Sequence, residues 1–244
     1  MTKYIVDKLA SELTQSQVSF DCLKIENASN IQLSSCNMLG IAYPIHSFNA
    51  PQIVVDFIKK LPEVNGMETF IIHTAGEDSK LNYSSSALLM KRLTRKGYNV
   101  FYDKLIEMPS NFICKYDTAR VDRIIKAANE NIPKIAQDII TRTPRNMRKN
   151  LASNILTFIG RTEWLGARLM GKTYYADSNC TLCGGCVSVC PKKNIEMRTN
   201  SIRFKWRCCI CMRCVYQCPQ RAISIRRPFR FILFDEWYND NFER

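Results

Sequence analysis

A chain of 244 residues, 46% hydrophobic and 23% charged, is long enough for one ordinary domain plus a small one. No apolar run approaches the roughly 18 residues a membrane helix needs, which excludes a helical membrane protein. A formal net charge of +13 leaves nucleic acid, an anionic surface or an acidic protein as partner classes.

The elements are predicted as follows, in chain order. Residues 3–16 place Tyr4, Ile5, Leu9 and Leu13 near helical spacing, residues 18–25 read as a strand, and residues 38–43 form an apolar strand ending in Pro44. The opening helix is polar, with no apolar h-region and no cleavage signal, so a cytoplasmic location is expected. Pro51 opens a helix through Leu61, residues 68–73 form a buried strand, residues 84–96 a helix ended by Gly97, and residues 99–105 another strand. A longer helix follows, with Val121, Ile124, Ile125, Ala128, Ile132, Ile135 and Ile139 on one face and a kink expected at Pro133. Alternation of this kind predicts an α/β doubly wound domain with a mainly parallel sheet over residues 1–141.

The charge then shifts. Residues 1–141 hold 16 basic and 15 acidic side chains, residues 142–172 hold 7 and 1, and residues 173–230 hold 11 and 2. Residues 142–172 are therefore predicted to be a basic helical connector. Arg142, Arg145, Arg148 and Lys149 lie on a solvated face, and residues 151–170, with Ile155, Phe158, Ile159 and Leu165, form a helix that packs the two domains together. Residues 173–230 are the second domain, and residues 231–244 a tail whose aromatic side chains dock on the protein's own surface.

Eight of the twelve cysteines fall into two copies of one run, Cys180-x2-Cys183-x2-Cys186-x3-Cys190-Pro191 and Cys208-x2-Cys211-x2-Cys214-x3-Cys218-Pro219. This run holds paired 4Fe-4S clusters: three thiolates at three-residue spacing surround one cluster, and the fourth reaches the other. The expected ligand sets are crossed, with Cys180, Cys183, Cys186 and Cys218 on the first cluster and Cys208, Cys211, Cys214 and Cys190 on the second. The copies are offset by 28 residues, and Val187, Pro191, Ile195 and Met197 fall on Val215, Pro219, Ile223 and Ile225. Each copy is expected to be a cysteine loop, a short helix and a strand, with the clusters supplying the core that so short a stretch cannot build. Structural zinc does not ask for three cysteines at this spacing followed by Cys-Pro, twice, and disulfides need an oxidising compartment. Cys209 is read as a non-ligand, and Cys22, Cys36 and Cys114 as ordinary partly buried thiols. Trp206, between Lys205 and Arg207, is expected to be a lid over the second cluster.

Strand ends in such sheets are where ligands bind, which singles out Tyr43-Pro44-Ile45-His46 and Thr74-Ala75-Gly76-Glu77. His46 and His73 lie in or beside these segments and read as packed or hydrogen-bonded residues. With MLGIAYPIHSFNAP, FIIHTAG, RKGYNV and Met108 to Asn111 preceding the paired cysteine runs, the chain resembles proteins of anaerobes in which a flavodoxin-like domain is fused to a bacterial-type ferredoxin with two 4Fe-4S clusters. The resemblance implies a slot for flavin mononucleotide (FMN) at Tyr43, Pro44, Thr74 and Gly76, with the phosphate held by a loop between the first strand and first helix. This chain opens on the helix, so the first strand and phosphate loop of the flavodoxin-like parallel sheet are missing, FMN binding is expected to be weak or absent, and a start site placed too late is favoured over natural loss.

The expected function is one-electron transfer through two clusters, with the flavodoxin-like half as relay or docking domain and an acidic redox protein as partner. No triad, paired carboxylates or nicotinamide fingerprint marks an enzyme. Two alternatives stand beside it. One is a flavin-dependent oxidoreductase fed by the clusters. The other is a basic iron–sulfur protein that binds nucleic acid, disfavoured because stacking aromatics are not interleaved with its basic residues.

Overall fold

The computed structural model describes residues 1–28, 31, 33–110, 116–147 and 150–227. Cys114, Arg148, Lys149 and the expected tail lie outside them. The chain divides into two compact units, the first taking in Met1–Ser110 and Tyr116–Arg161, the second beginning at Thr162. No helix among the described residues is long and apolar enough to cross a membrane.

The first unit is built on three parallel strands. Thr2–Gln15 (α1) buries Ile5, Leu9 and Leu13, one apolar residue per turn. Residues 18–25 are not the strand their alternation predicts: they run irregularly, with Val18, Phe20 and Leu23 exposed. A strand needs a ladder partner, and this segment pairs with none, although the strand at Met38–Pro44 pairs on one side only, with Met67–Ala75. Cys22 and Cys36 are likewise exposed instead of partly buried. Met38–Pro44 (β1) follows with strict alternation, Leu39, Ile41 and Tyr43 turned inward.

Gln52–Lys60 (α2) buries Val54, Val55 and Ile58, and leads to Met67–Ala75 (β2), the central strand. Ala87–Arg95 (α3) starts three residues later than the expected Ser84 because the serines before it are drawn into other hydrogen bonds. Gly97 turns α3 into Tyr98–Glu107 (β3) at φ +84°, where an added Cβ would overlap the Val64 carbonyl oxygen; the turn is tied by Val64 N–H to the Lys96 carbonyl at 2.8 Å.

The sheet order is β1-β2-β3, with Tyr43 opposite His73 and Ile71 opposite Asp103. A register shift at Thr69/Phe70 lets β3 bury Phe101 and Tyr102 consecutively. One face, through Ile72, Tyr102 and Ile106, packs on α1 and on Thr118–Ile140 (α4), which is capped by Asp117 and runs through Pro133. The opposite face carries Tyr43, His73 and Asp103 toward the start of α3. Helices thus flank both faces of a parallel sheet, an α/β arrangement. Beyond α4, Arg145 pairs with Phe101 and Asp103 at the outer edge of β3, so the start of the expected connector joins the first unit.

The helix expected over residues 151–170 is two, Leu151–Gly160 (α5) and Glu163–Gly171 (α6), and the break falls where one compact unit gives way to the other. Hydropathy alone misreads α5, because it turns Ser153 and Thr157 inward and leaves Leu151 and Phe158 exposed. A side-chain capping box at Asn150 and Ser153 starts it.

The second unit repeats itself. Tyr174–Ala176 (β4), Gly185–Ser188 (α7) and Ile195–Arg198 (β5) are matched at the 28-residue offset by Ser201–Phe204 (β6), Arg213–Tyr216 (α8) and Ile223–Ile225 (β7). The strands pair antiparallel as β4 with β7 and β5 with β6, so one sheet joins the outermost strands of the two copies and the other the innermost. Ile195, Phe204, Val215, Ile223 and Ile225 form an apolar core packed against Cys186, Cys190, Cys208, Cys214 and Cys218.

Candidate metal centre

The backbone of the two cysteine loops is wound the same way in each copy. Leu182 and Ile210, Gly184 and Met212, and Lys193 and Arg221 all have positive φ, each pair 28 residues apart. Five of the six carry a side chain in a region that costs roughly 1–2 kcal/mol per residue, so the packing around them holds the loops in a shape the sequence would not adopt alone. The second turn of each loop opens a four-residue helix, capped by Gly184 or Met212, that presents Cys186 or Cys214.

The Cys-Pro ends are equally matched. Proline has no N–H and stops the short helix. The next-but-one residue, Lys193 or Arg221, turns left-handed and donates its N–H to the carbonyl of Cys190 or Cys218, at 3.1 and 3.0 Å. This brings the following N–H onto sulfur: Asn194 donates to Cys190 Sγ at 3.2 Å and Ala222 to Cys218 Sγ at 3.3 Å. A third such bond runs from Ile210 N–H to Cys208 Sγ at 3.3 Å. Donors aimed at sulfur stabilise the thiolate and offset the cost of burying it.

Two hollows result. One is lined by Cys180, Cys183, Cys186 and Cys218, with Leu182, Ile202 and Ile223 among its apolar walls. The other is lined by Cys190, Cys208, Cys211 and Cys214, with Tyr174, Ile195 and Phe204. Each therefore gathers three sulfurs from one run and the fourth from the other. Trp206 is not among the residues lining the second hollow; it is exposed, and is no lid. Among the described residues no group of three or more His, Cys, Asp or Glu is set to hold a single ion. Every described cysteine is a free thiol.

The hollows differ in burial. Cys183 is exposed at the rim of the first, whereas burial pushes the Cys208 thiol up to about 12 and raises Cys214 further. Cys209 also lines the second hollow, and its thiol is hydrogen-bonded to Cys211, which keeps Cys209 protonated and lowers Cys211. Thiols held neutral by burial become thiolates only when a cation replaces the lost hydration, so the donor set fits a multi-iron group with four sulfur ligands and an apolar surround.

Gly171, the last residue of α6, touches this site. An added Cβ would overlap Cys208 Cβ and lie 3.4 Å from its sulfur. Gly171→Ala is expected to lower iron content by displacing Cys208, while Gly166→Ala, with open space around it, leaves iron unchanged. Iron per chain after identical anaerobic reconstitution of both variants is the measurement.

The four residues of the expected flavin slot are brought to adjacent strand ends, Tyr43 opposite His73 and Pro44 opposite Thr74. Three of them are engaged by the chain's own groups. Tyr43 is buried against the His73 ring. Thr74 Oγ1 is 2.7 Å from Thr2 Oγ1, and the Gly76 carbonyl accepts from Tyr116 Oη at 2.6 Å. Of the two histidines, His46 is lowered to about 4 by burial.

His73 instead belongs to a polar network that periodicity did not reveal. Ser85 Oγ is 2.9 Å from His73 Nδ1, Ser86 Oγ donates to Asp103 Oδ2 at 2.6 Å, and His73 Nε2 faces Asp103 Oδ1 at 3.2 Å without the alignment of a hydrogen bond. A Ser, a His and an Asp in contact suggest nucleophilic chemistry, but Ser85, His73 and Asp103 are at most 1% exposed, which leaves no room for a substrate. The network is structural.

Comparison with known proteins bears on the second unit alone. The family model for a 4Fe-4S dicluster domain matches residues 172–219. No curated protein is similar enough to this chain to count as a match. The chain carries a 4Fe-4S domain over the matched residues, and the match supports an iron–sulfur electron-transfer role.

Proposed function

We propose that the chain is an electron-transfer protein holding two 4Fe-4S clusters on crossed ligand sets. Cys180, Cys183, Cys186 and Cys218 hold one, and Cys208, Cys211, Cys214 and Cys190 the other. The observation that carries this reading is the pair of hollows, each gathering three cysteines of one run and the fourth of its twin, with the off-pattern Cys209 also at the second. A bound 4Fe-4S cluster supplies one-electron acceptance and release near its thiolate ligands. The chain's own residues bind and tune. Asn194, Ala222 and Ile210 N–H groups stabilise negative charge on sulfur, and Tyr174, Phe204, Ile195, Ile202 and Ile223 keep water from the hollows. Electron carriage requires no acid, base or nucleophile, so a carrier is favoured over an enzyme acting on an organic substrate.

The N-terminal unit is read as a flavodoxin-like domain that serves as a relay or docking domain. With Thr74 and Gly76 engaged by the chain's own groups, FMN binding is expected to be weak or absent. The surplus of basic residues in the cluster domain favours an acidic redox protein as partner.

Anaerobically reconstituted protein is expected to hold about eight iron and eight acid-labile sulfide per chain. Four irons, or one zinc per run, would overturn the two-cluster reading.

A further inference from the structure

Asn194 links the second hollow to the surface beside it. Only 2% exposed, it donates its N–H to Cys190 Sγ, accepts from Lys205 N–H on its carbonyl at 2.8 Å, and accepts from Arg207 N–H on Oδ1 at 2.6 Å. The backbone is thereby held on both sides of Trp206, two residues before Cys208. Lys205 and Arg207 have their N–H groups directed inward, and the intervening indole is left facing solvent, 55% exposed. The indole is thus held out to solvent from a backbone tied on both sides, as a Trp anchor for a partner is.

Its surroundings indicate what that is. Lys172, Arg203, Lys205 and Arg207 line one groove with Trp206, and Glu196, ion-paired with Lys205, is the one carboxylate lining it. Lys172 Nζ stands 5.2 Å from the centre of the Trp206 ring. Four cations and one carboxylate around an exposed indole form an aromatic anchor with a basic rim, joined through one buried asparagine to a sulfur of the second ligand set.

We infer that the Lys172, Arg203, Lys205, Trp206 and Arg207 groove is the surface on which an acidic redox protein docks to exchange electrons with the second cluster. This rests on the two-cluster reading and narrows it to a route. Charge complementarity identifies the partner: acidic side chains meet the rim while Trp206 is buried at the centre. Single-stranded nucleic acid is disfavoured, because one aromatic side chain offers one stacking position where a strand-binding groove needs several.

The test uses the full reconstituted chain as electron donor and an acidic flavodoxin as acceptor, followed by stopped flow. The parent rate constant is expected to fall as the Debye length shrinks below roughly 8–10 Å. Lys172→Glu with Arg203→Glu is expected to lower it at least about tenfold at low salt, and Trp206→Ala several-fold. Iron content and reduction of methyl viologen check that the clusters of each variant are intact. A parent rate indifferent to salt, or a double variant as fast as the parent, overturns the docking surface. So does an oligothymidine that binds at moderate salt and is lost with Trp206→Ala. Iron far below eight per chain in the parent would instead sink the two-cluster reading beneath it, so the two failures are distinguishable.

Discussion

Cys214→Ala is expected to remove about four of about eight irons from the chain and to loosen the second unit as a whole, with Cys186→Ala doing the same through the first hollow. Cys214 lies on α8, half-buried against the small apolar core that includes Tyr174 and Phe204. A module of roughly 60 residues buries too little apolar surface to be secure without a metal group at its centre, so loss of a cluster is loss of core. Iron and sulfide analysis reads the first effect, and limited proteolysis of the second unit the second.

Cys209→Ala is the decisive companion, because Cys209 lines the second hollow as well and proximity alone does not distinguish it from a ligand. The repeat does. The position 28 residues earlier is Thr181, which lines the first hollow without a thiol to offer. Cys209→Ala is therefore expected to keep all the iron. Losing the thiol that bonds Cys211 sulfur should lower the second cluster's potential, since a donor on sulfur favours the more negative, reduced state. Iron lost with Cys209→Ala and retained with Cys214→Ala would reverse the assignment.

The legible features were those in which one residue type has one use. Three-residue cysteine spacing followed by Cys-Pro has a narrow chemical meaning, and the same offset could have located β4 and β6, since Tyr174–Ala176 falls on residues 202–204. Apolar periodicity placed α1, β1, β2, β3 and α4 to within a few residues. It failed where the deciding partner is distant in sequence. Residues 18–25 alternate like a strand but pair with no other strand in the fold. Ser84, Ser85 and Ser86 read as helix yet bond Ser153, His73 and Asp103. Trp206 reads from sequence as a cover for the nearby second cluster; that Asn194 turns the flanking N–H groups inward is a tertiary fact. That Thr2 and Tyr116 engage the Thr74 hydroxyl and the Gly76 carbonyl is not legible from either strand-end segment.

Asp103→Ala is expected to destabilise the first unit by about 3 kcal/mol. Asp103 stands on β3 beside the central strand, 1% exposed, accepting from Ser86 and facing His73. Deleting the carboxylate removes the acceptor for a buried hydroxyl, takes away the group opposite an imidazole, and leaves a void under α3. Asp103→Asn retains an oxygen for Ser86 and should cost roughly 1 kcal/mol. Adding Ser86→Ala to Asp103→Ala should cost less than the two single effects together, because the second change removes a donor the first has already orphaned. The two described tryptophans, Trp164 and Trp206, lie outside the first unit. Urea unfolding is therefore followed by far-ultraviolet circular dichroism, with the visible absorbance of the clusters reporting the second unit in the same sample. The dichroism transition should move to lower urea while the cluster absorbance is lost at the parent's concentration. An unmoved dichroism transition would mean that the buried carboxylate does not secure α3 to the sheet, and that apolar packing of Leu89 and Leu93 alone holds it there.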